Sequence, residues 1–227
     1  MKTHLFIITF VLAFVPSSWS QNYDTSWIGH FSYLDIQKVV YGEAKFYAAS
    51  ENAIFSYDPL TNELSTITTI NGLSGELIST IYYSNQYELL LIGYENGLIE
   101  IYNELNQELL KVIDIVAKTT IPSSQKKINH FNETDEVVFI ATDYGISVYN
   151  LNDLEFGDTY YIGTNGSQIK VNQTAVYNNE IYAACGSNEG IKKASLSDPN
   201  LINFQFWTTL ITGDFTNITP FGTQLYT

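Results

Sequence analysis

Four carboxylates and one aromatic ring are the side chains of this chain best placed to do chemistry. Glu51, Glu95, Asp143 and Glu189 each stand within two residues ahead of a small residue that closes a turn: Ala53, Gly97, Gly145 and Gly190. Acids brought together in pairs act as acid and base in glycosidases and lyases, and four acids on one rim would hold a cation. The same positions are where Asp, Asn and Gly build hairpin turns, and turn chemistry accounts for them with no reaction at all. Tyr144 adjoins Asp143 in its turn, where packing offers little reason for a ring; a ring face matches a pyranose face.

Nothing else in the chain assembles a stronger constellation. His30 and His130 stand a hundred residues apart, each without an acidic or cysteine partner at ligand spacing, so no zinc cluster is expected. A calcium loop would need alternating oxygen ligands over about a dozen residues. No Gly-x-Ser-x-Gly elbow and no phosphate loop is present. Cys185, the single cysteine, lies in the apolar run Ile181-Tyr-Ala-Ala-Cys185 and reads as a buried thiol. The expectation is no catalytic residue, no metal and no cofactor. The five turn residues are candidates for binding alone.

The elements that position those turns repeat. Phe46-Tyr-Ala-Ala-Ser-Glu-Asn-Ala-Ile-Phe-Ser-Tyr57, Leu90-Leu-Ile-Gly-Tyr-Glu-Asn-Gly-Leu-Ile-Glu-Ile-Tyr102, Val138-Phe-Ile-Ala-Thr-Asp-Tyr-Gly-Ile-Ser-Val-Tyr149 and Ile181-Tyr-Ala-Ala-Cys-Gly-Ser-Asn-Glu-Gly-Ile-Lys192 are versions of one unit, offset by 44, 48 and 45 residues. A period in the forties made of short strands is the signature of β-propeller blades. The fold class is therefore all-β, with about four four-stranded blades. Phe46 to Ser50 and its counterparts, rich in small residues, are expected to line the inner channel. Tyr47, Tyr57, Tyr102 and Tyr149 recur at repeat-locked positions and are assigned to the blade core. The polar stretch Val116 to Lys127 is read as a rim loop. Phe221-Gly-Thr-Gln-Leu-Tyr-Thr227 echoes Tyr41-Gly-Glu-Ala-Lys-Phe-Tyr47 and opens a fifth unit. The ring is thus expected to be incomplete, with residues beyond 227 closing it.

Composition narrows the partners. The chain has 24 acidic against 10 basic residues, a net charge of −14, and all ten basic residues are lysine. Arginine supplies the planar fork that grips phosphate in paired bonds, so its absence, with this charge, excludes nucleic acid as a partner class. Residues 1–20 read as a signal peptide: Lys2, an apolar run from Leu5 to Val15, Pro16, then Ser18-Trp-Ser20 ahead of Gln21. The run is shorter than the roughly 18 apolar residues of a membrane span. The expected mature domain is 21–227, exported to the periplasm or cell surface of a Gram-negative bacterium.

Trp27-Ile-Gly-His-Phe-Ser-Tyr33, Tyr47-Ala-Ala-Ser-Glu-Asn-Ala-Ile-Phe-Ser-Tyr-Asp58, Asn71-Gly-Leu-Ser74 and Gly93-Tyr-Glu-Asn-Gly-Leu-Ile99, in that order, resemble the N-terminal propeller of the PorZ family. That family is a surface component of the type IX secretion system of Bacteroidetes. The resemblance runs through the mature segment and is sharpest in the first two blades; Ala53 departs from the expected turn glycine. It implies two propellers followed by a C-terminal β-sandwich sorting domain. It also implies partners among secretion-system proteins, and work in cargo sorting and attachment to surface lipopolysaccharide. No catalytic residue carries over. The alternative is the ligand-sensing propeller of a hybrid two-component regulator that recognises polysaccharide fragments.

Overall fold

In the computed structural model, residues 35–227 are described. The expected signal peptide, the lead-in from Trp27 to Tyr33 and His30 lie outside the described residues. Among the described residues there are four four-stranded antiparallel sheets and one hairpin. The first sheet is β1 (Lys38–Gly42), β2 (Lys45–Ala49), β3 (Ile54–Asp58) and β4 (Glu63–Ile67). The second is β5 (Ile78–Ser84), β6 (Leu89–Tyr94), β7 (Ile99–Asn103) and β8 (Glu108–Val112). The third is β9 (Ile128–Thr134), β10 (Val137–Thr142), β11 (Gly145–Asn150) and β12 (Glu155–Tyr160). The fourth is β13 (Val171–Tyr177), β14 (Glu180–Cys185), β15 (Gly190–Ser195) and β16 (Thr208–Ile211), and the hairpin is β17 (Thr219–Phe221) with β18 (Gln224–Tyr226). Each sheet runs in simple up-and-down order, and first strands adjoin one another: β1 lies against β5, β5 against β9, β9 against β13, β13 against β17. This is a run of propeller blades, with the opening hairpin of a fifth.

The order corrects one sequence expectation. The innermost strands are β1, β5, β9 and β13, so Phe46 to Ser50 and its counterparts are second strands. Their small residues serve a different contact. A Cβ added at Gly93 would come within 2.6 Å of Ile128 Cγ2 in the next blade, so β6 and β9 approach where a side chain is missing. The turn glycines answer to a similar constraint. Gly145 and Gly190 have φ of 146° and 81°, and a Cβ there would meet the carbonyl oxygens of Tyr160 and Ile211 at 2.4 and 2.0 Å. Ala53 is not among the positive-φ residues, which is why alanine is tolerated in the first blade.

Blades stack face to face, so the middle strands are covered on both sides and read as unbroken apolar runs. Leu90 and Ile92 face blade 1, packing with Tyr47, Ala49 and Ile54; Leu91 faces blade 3, packing with Phe131, Val138 and Ile140. Tyr47 and Tyr83 stack across the first interface at 5.2 Å. At the third interface, Phe139, Ala141 and Ile146 meet Val171, Ile181 and Cys185. On the face of blade 1 turned away from blade 2, Val39, Tyr41, Phe46, Tyr57 and Leu64 are exposed. Tyr57 is therefore not core, unlike Tyr47, Tyr102 and Tyr149, which are buried.

A repeated device fastens the inner strands. Ser79, Asn129 and Asn172 each occupy a β-bulge at the second position of β5, β9 and β13. Each bulged side chain donates to a carbonyl at the start of the next blade: Ser79 Oγ to Ile128 O at 2.6 Å, Asn129 Nδ2 to Val171 O at 2.8 Å, Asn172 Nδ2 to Phe215 O at 2.7 Å. The stretch read as a rim loop is also ordered. It holds a short helix, α1 (Asp114–Ala117), and buried Lys126 closes it by donating to Val116 O at 2.6 Å.

Asn129→Ala is expected to destabilise the chain by about 1–3 kcal/mol, because the buried Val171 carbonyl and the partly solvated Asp143 carboxylate lose their donor. Asn132→Ala, whose side-chain oxygen has no partner, should do clearly less. Urea unfolding midpoints of the two variants measure the difference; equal losses would show that the clamp contributes nothing special.

Candidate functional site

Two of the four turn acids end up as struts between blades. Glu95, at the β6–β7 turn, accepts from Lys127 Nζ at 2.8 Å, and Lys127 directly precedes β9 of the next blade. Asp143 repeats the arrangement one blade on: its Oδ1 accepts from Asn129 Nδ2 at 2.8 Å and lies 3.6 Å from Lys170 Nζ, directly ahead of β13. Glu189 pairs within its own hairpin, 3.2 Å from Lys192 Nζ. Glu51 is exposed; the position of its would-be lysine is Leu77. These pairs are partly solvated, so each contributes about 0–1 kcal/mol, and their role is to orient the turns.

Two of the predicted residues meet at one opening. Glu95 and Asp143 line an open pocket of about 500 Å³ with Glu76, Asn96, Ser123, Ser124 and Lys127; Glu51 and Glu189 do not line it. Its walls offer carboxylates, hydroxyls, an amide and one ammonium, which suits hydrogen-bonding contact. Tyr144 is a correction. It is fully buried, its hydroxyl bonds Ser147 Oγ at 2.7 Å, and its ring packs near Tyr161 at 6.3 Å. Burial pushes its pKa up to about 12. It is a core residue that folds back under its turn, and no stacking platform.

His130 sits on the inner strand β9. Its burial, with the charge of Lys38 adding to the effect, lowers its pKa to about 4, and its Nδ1 has no partner. Cys185 is buried, and burial raises its thiol to about 12, far from nucleophilic range. Among the described residues no group of three or more His, Cys, Asp or Glu is arranged to hold a metal ion. No helix there is long and apolar enough to cross a membrane.

One functional-looking residue escapes sequence reasoning. Glu100 on β7 is fully buried. It accepts from the Tyr94 hydroxyl and from Ser74 N at 3.1 Å, with Lys111 Nζ 3.2 Å away. The carboxylate thus grips the Asn71-Gly-Leu-Ser74 connector between blades 1 and 2. Its position recurs as a cross-strand polar pair, Glu100↔Lys111, Ser147↔Thr159 and Lys192↔Thr209. The alternation Leu98-Ile-Glu-Ile101 resembles a solvent-facing acid, and only the second covering sheet makes it buried.

Glu100→Ala should cost about 1–3 kcal/mol for each buried donor it strands, those of Tyr94 and Ser74, read as a lowered unfolding midpoint. Because the folded pKa of His130 lies below its unfolded value of about 6.5, the native state binds fewer protons. Its contribution is then fully present above about pH 6.5 and is lost as pH falls toward 4. Relative to His130→Gln, the wild type should lose about 2–3 kcal/mol over that window; parallel pH–stability curves would contradict the buried neutral imidazole.

The fold and site invite comparison with known proteins. No curated protein matches the chain. PorZ, an essential bacterial surface component of the type IX secretion system of Porphyromonas gingivalis, superposes with a TM-score of 0.65 at 23% identity, covering 78% of this chain and 22% of that one. The extracellular domain of a putative hybrid two-component system from B. thetaiotaomicron gives 0.59 at 16% identity, over 82% of this chain and 24% of that one. Sqt1 of Saccharomyces cerevisiae gives 0.60 at 14%, over 84% and 54%. These likenesses are of fold. The chain spans less than a quarter of the length of the first two. The model of the PorZ N-terminal β-propeller domain of the type IX secretion system matches residues 46–208. With more than half of its length matched, the chain belongs to the PorZ N-terminal β-propeller domain family.

Proposed function

We propose that this propeller is a non-enzymatic scaffold and binding module of a surface-exposed type IX secretion component. It assists the sorting of cargo and its attachment to surface lipopolysaccharide. Residues 1–20 direct export, 21–227 form the N-terminal propeller domain, and blades from beyond residue 227 complete the ring. Its partners are other secretion-system proteins and surface glycan, with no nucleic acid, metal or cofactor involved. Family membership carries the reading. The site supports it, because the acids that catalysis would need are tied to lysines: Glu95 to Lys127 and Asp143 to Lys170. The rim pocket with its mixed polar walls is a surface for contact. The likeness to the two-component sensor is one of fold and favours no second reading.

In a strain lacking the full-length protein, cargo should keep its sorting domain and be depleted from the cell surface. Full-length protein carrying Glu95→Gln and Asp143→Asn should restore surface cargo, as expected if neither acid does chemistry. Normal cargo in the deletion strain would overturn the secretion role. Failure of the folded double variant to restore it would overturn the non-catalytic role of these acids.

A further inference from the structure

The rim opposite Glu95 and Asp143 holds a second opening. A pocket of about 510 Å³ lies between blades 3 and 4, at the far ends of β10 and β15 from Asp143 and Glu189. Its walls are apolar, formed by Phe139, Val148, Tyr160 and Leu201, and its mouth carries Asp135, Glu136 and Asp198.

On this rim the other two blade interfaces each pair carboxylates across them. Between blades 1 and 2, Glu104 accepts from Lys45 Nζ at 2.7 Å and from the Tyr47 hydroxyl at 2.6 Å, and Glu43 accepts from the Tyr83 hydroxyl at 3.1 Å. Between blades 2 and 3, Glu133 accepts from the Tyr82 and Ser84 hydroxyls at 3.0 and 2.7 Å. Between blades 3 and 4 the pattern stops. Among the described residues the side chains of Asp135, Glu136 and Asp198 have no hydrogen bond or ion pair, and no lysine lines the pocket. Tyr160 lines it too: the residue is 7% exposed, and its hydroxyl, open to solvent, has no partner among the described residues. An acceptor set with no internal donor, above an apolar floor, is complementary to a cation on an alkyl shaft.

We propose that this pocket receives a lysine or arginine side chain carried by an extended segment of a partner protein. The alkyl shaft lies along Phe139, Val148 and Leu201, and the cationic head reaches Asp135, Glu136 and Asp198 with Tyr160 beside it. The pocket needs neither Glu95 nor Asp143, and its occupancy is read on the purified chain, separately from cargo attachment.

The probe is a fluorescein-labelled peptide, Gly-Leu-Arg-Val-Lys-Gly, titrated with the full chain in low-salt buffer and followed by anisotropy. Saturable binding is expected. It should weaken at least tenfold in the combined variant Asp135→Asn, Glu136→Gln, Asp198→Asn. Val148→Phe, which fills the pocket without changing charge, should weaken it similarly, and Tyr160→Phe a few-fold. Removing the same charge from the other rim by Glu51→Gln, Glu76→Gln and Glu95→Gln should leave affinity within about twofold. Equal weakening by that second triple variant would assign binding to diffuse negative charge and overturn the pocket. So would unchanged affinity in a folded Val148→Phe variant, or non-saturable binding. Spermidine competing as well as the peptide would identify a small polyamine as the occupant instead. Self-association abolished by the same substitutions would identify a second copy, and each of those outcomes overturns the proposal.

Discussion

The structure depends on one contact repeated around an axis: the face of each blade laid on the face of the next. Within a sheet, every backbone bond is local to a hairpin, so nothing in the ladder pairing tells one blade where its neighbour belongs. That placement comes from apolar side chains of the middle strands, Leu90 and Ile92 toward one side and Leu91 toward the other. It is then sharpened at the axis by the bulged residues Ser79, Asn129 and Asn172. Apolar packing alone is non-directional. A side-chain donor fixed by a bulge and aimed at a single carbonyl sets the angle and height at which the next inner strand begins.

The same geometry decides what the polar residues can do. A turn acid at the end of a second strand lies close to the residue that leads into the next blade's first strand. When that residue is lysine, as at Lys127 and Lys170, the acid becomes a strut. When it is Leu77, Glu51 is left to solvent. The buried polar pair on the third and fourth strands works further from the axis, and in blade 2 it takes its extreme form in Glu100, which holds the inter-blade connector through Ser74. Polar groups here are organised by the blade repeat first, and any binding site is assembled from what the repeat leaves unpaired.

Much of this was legible. The forty-odd-residue period and the turn glycines are enough to read the blades, the second-to-third-strand hairpins and the opening of a fifth unit from sequence. What misled was depth. Phe46 to Ser50 carries the small residues expected at a crowded centre, yet the innermost strands are the more polar first strands, whose edges face the axis. Tyr144 follows Asp143 in a turn, a position that predicts a surface ring, but the chain folds its side chain under the turn onto Ser147. Tyr57 fits the repeat as a core tyrosine but is exposed on the face of blade 1 turned away from blade 2. Periodicity reports which residues share a face. It does not report what covers that face, and burial of Glu100, Tyr144 and Tyr57 turned on the cover.

Loss of pairing is therefore the most useful signal that this architecture offers. Tyrosine hydroxyls satisfy carboxylates across the first two interfaces on one rim, through Tyr47 with Glu104 and Tyr82 with Glu133. The same partnership could have been built at the third interface, where Tyr160 and three acids lie around one pocket. It was not, and the roughly 0.5–1.5 kcal/mol that such a hydrogen bond contributes is forgone there. A blade that forgoes that stabilisation keeps its donors and acceptors free for a group from outside. On the opposite rim Glu95, Asp143 and Glu189 are already engaged by lysines. The two rims thus hold their acids differently: lysines engage Glu95 and Asp143 on one, while on the other hydroxyls engage Glu104 and Glu133 and the acids of the third interface stay unpaired.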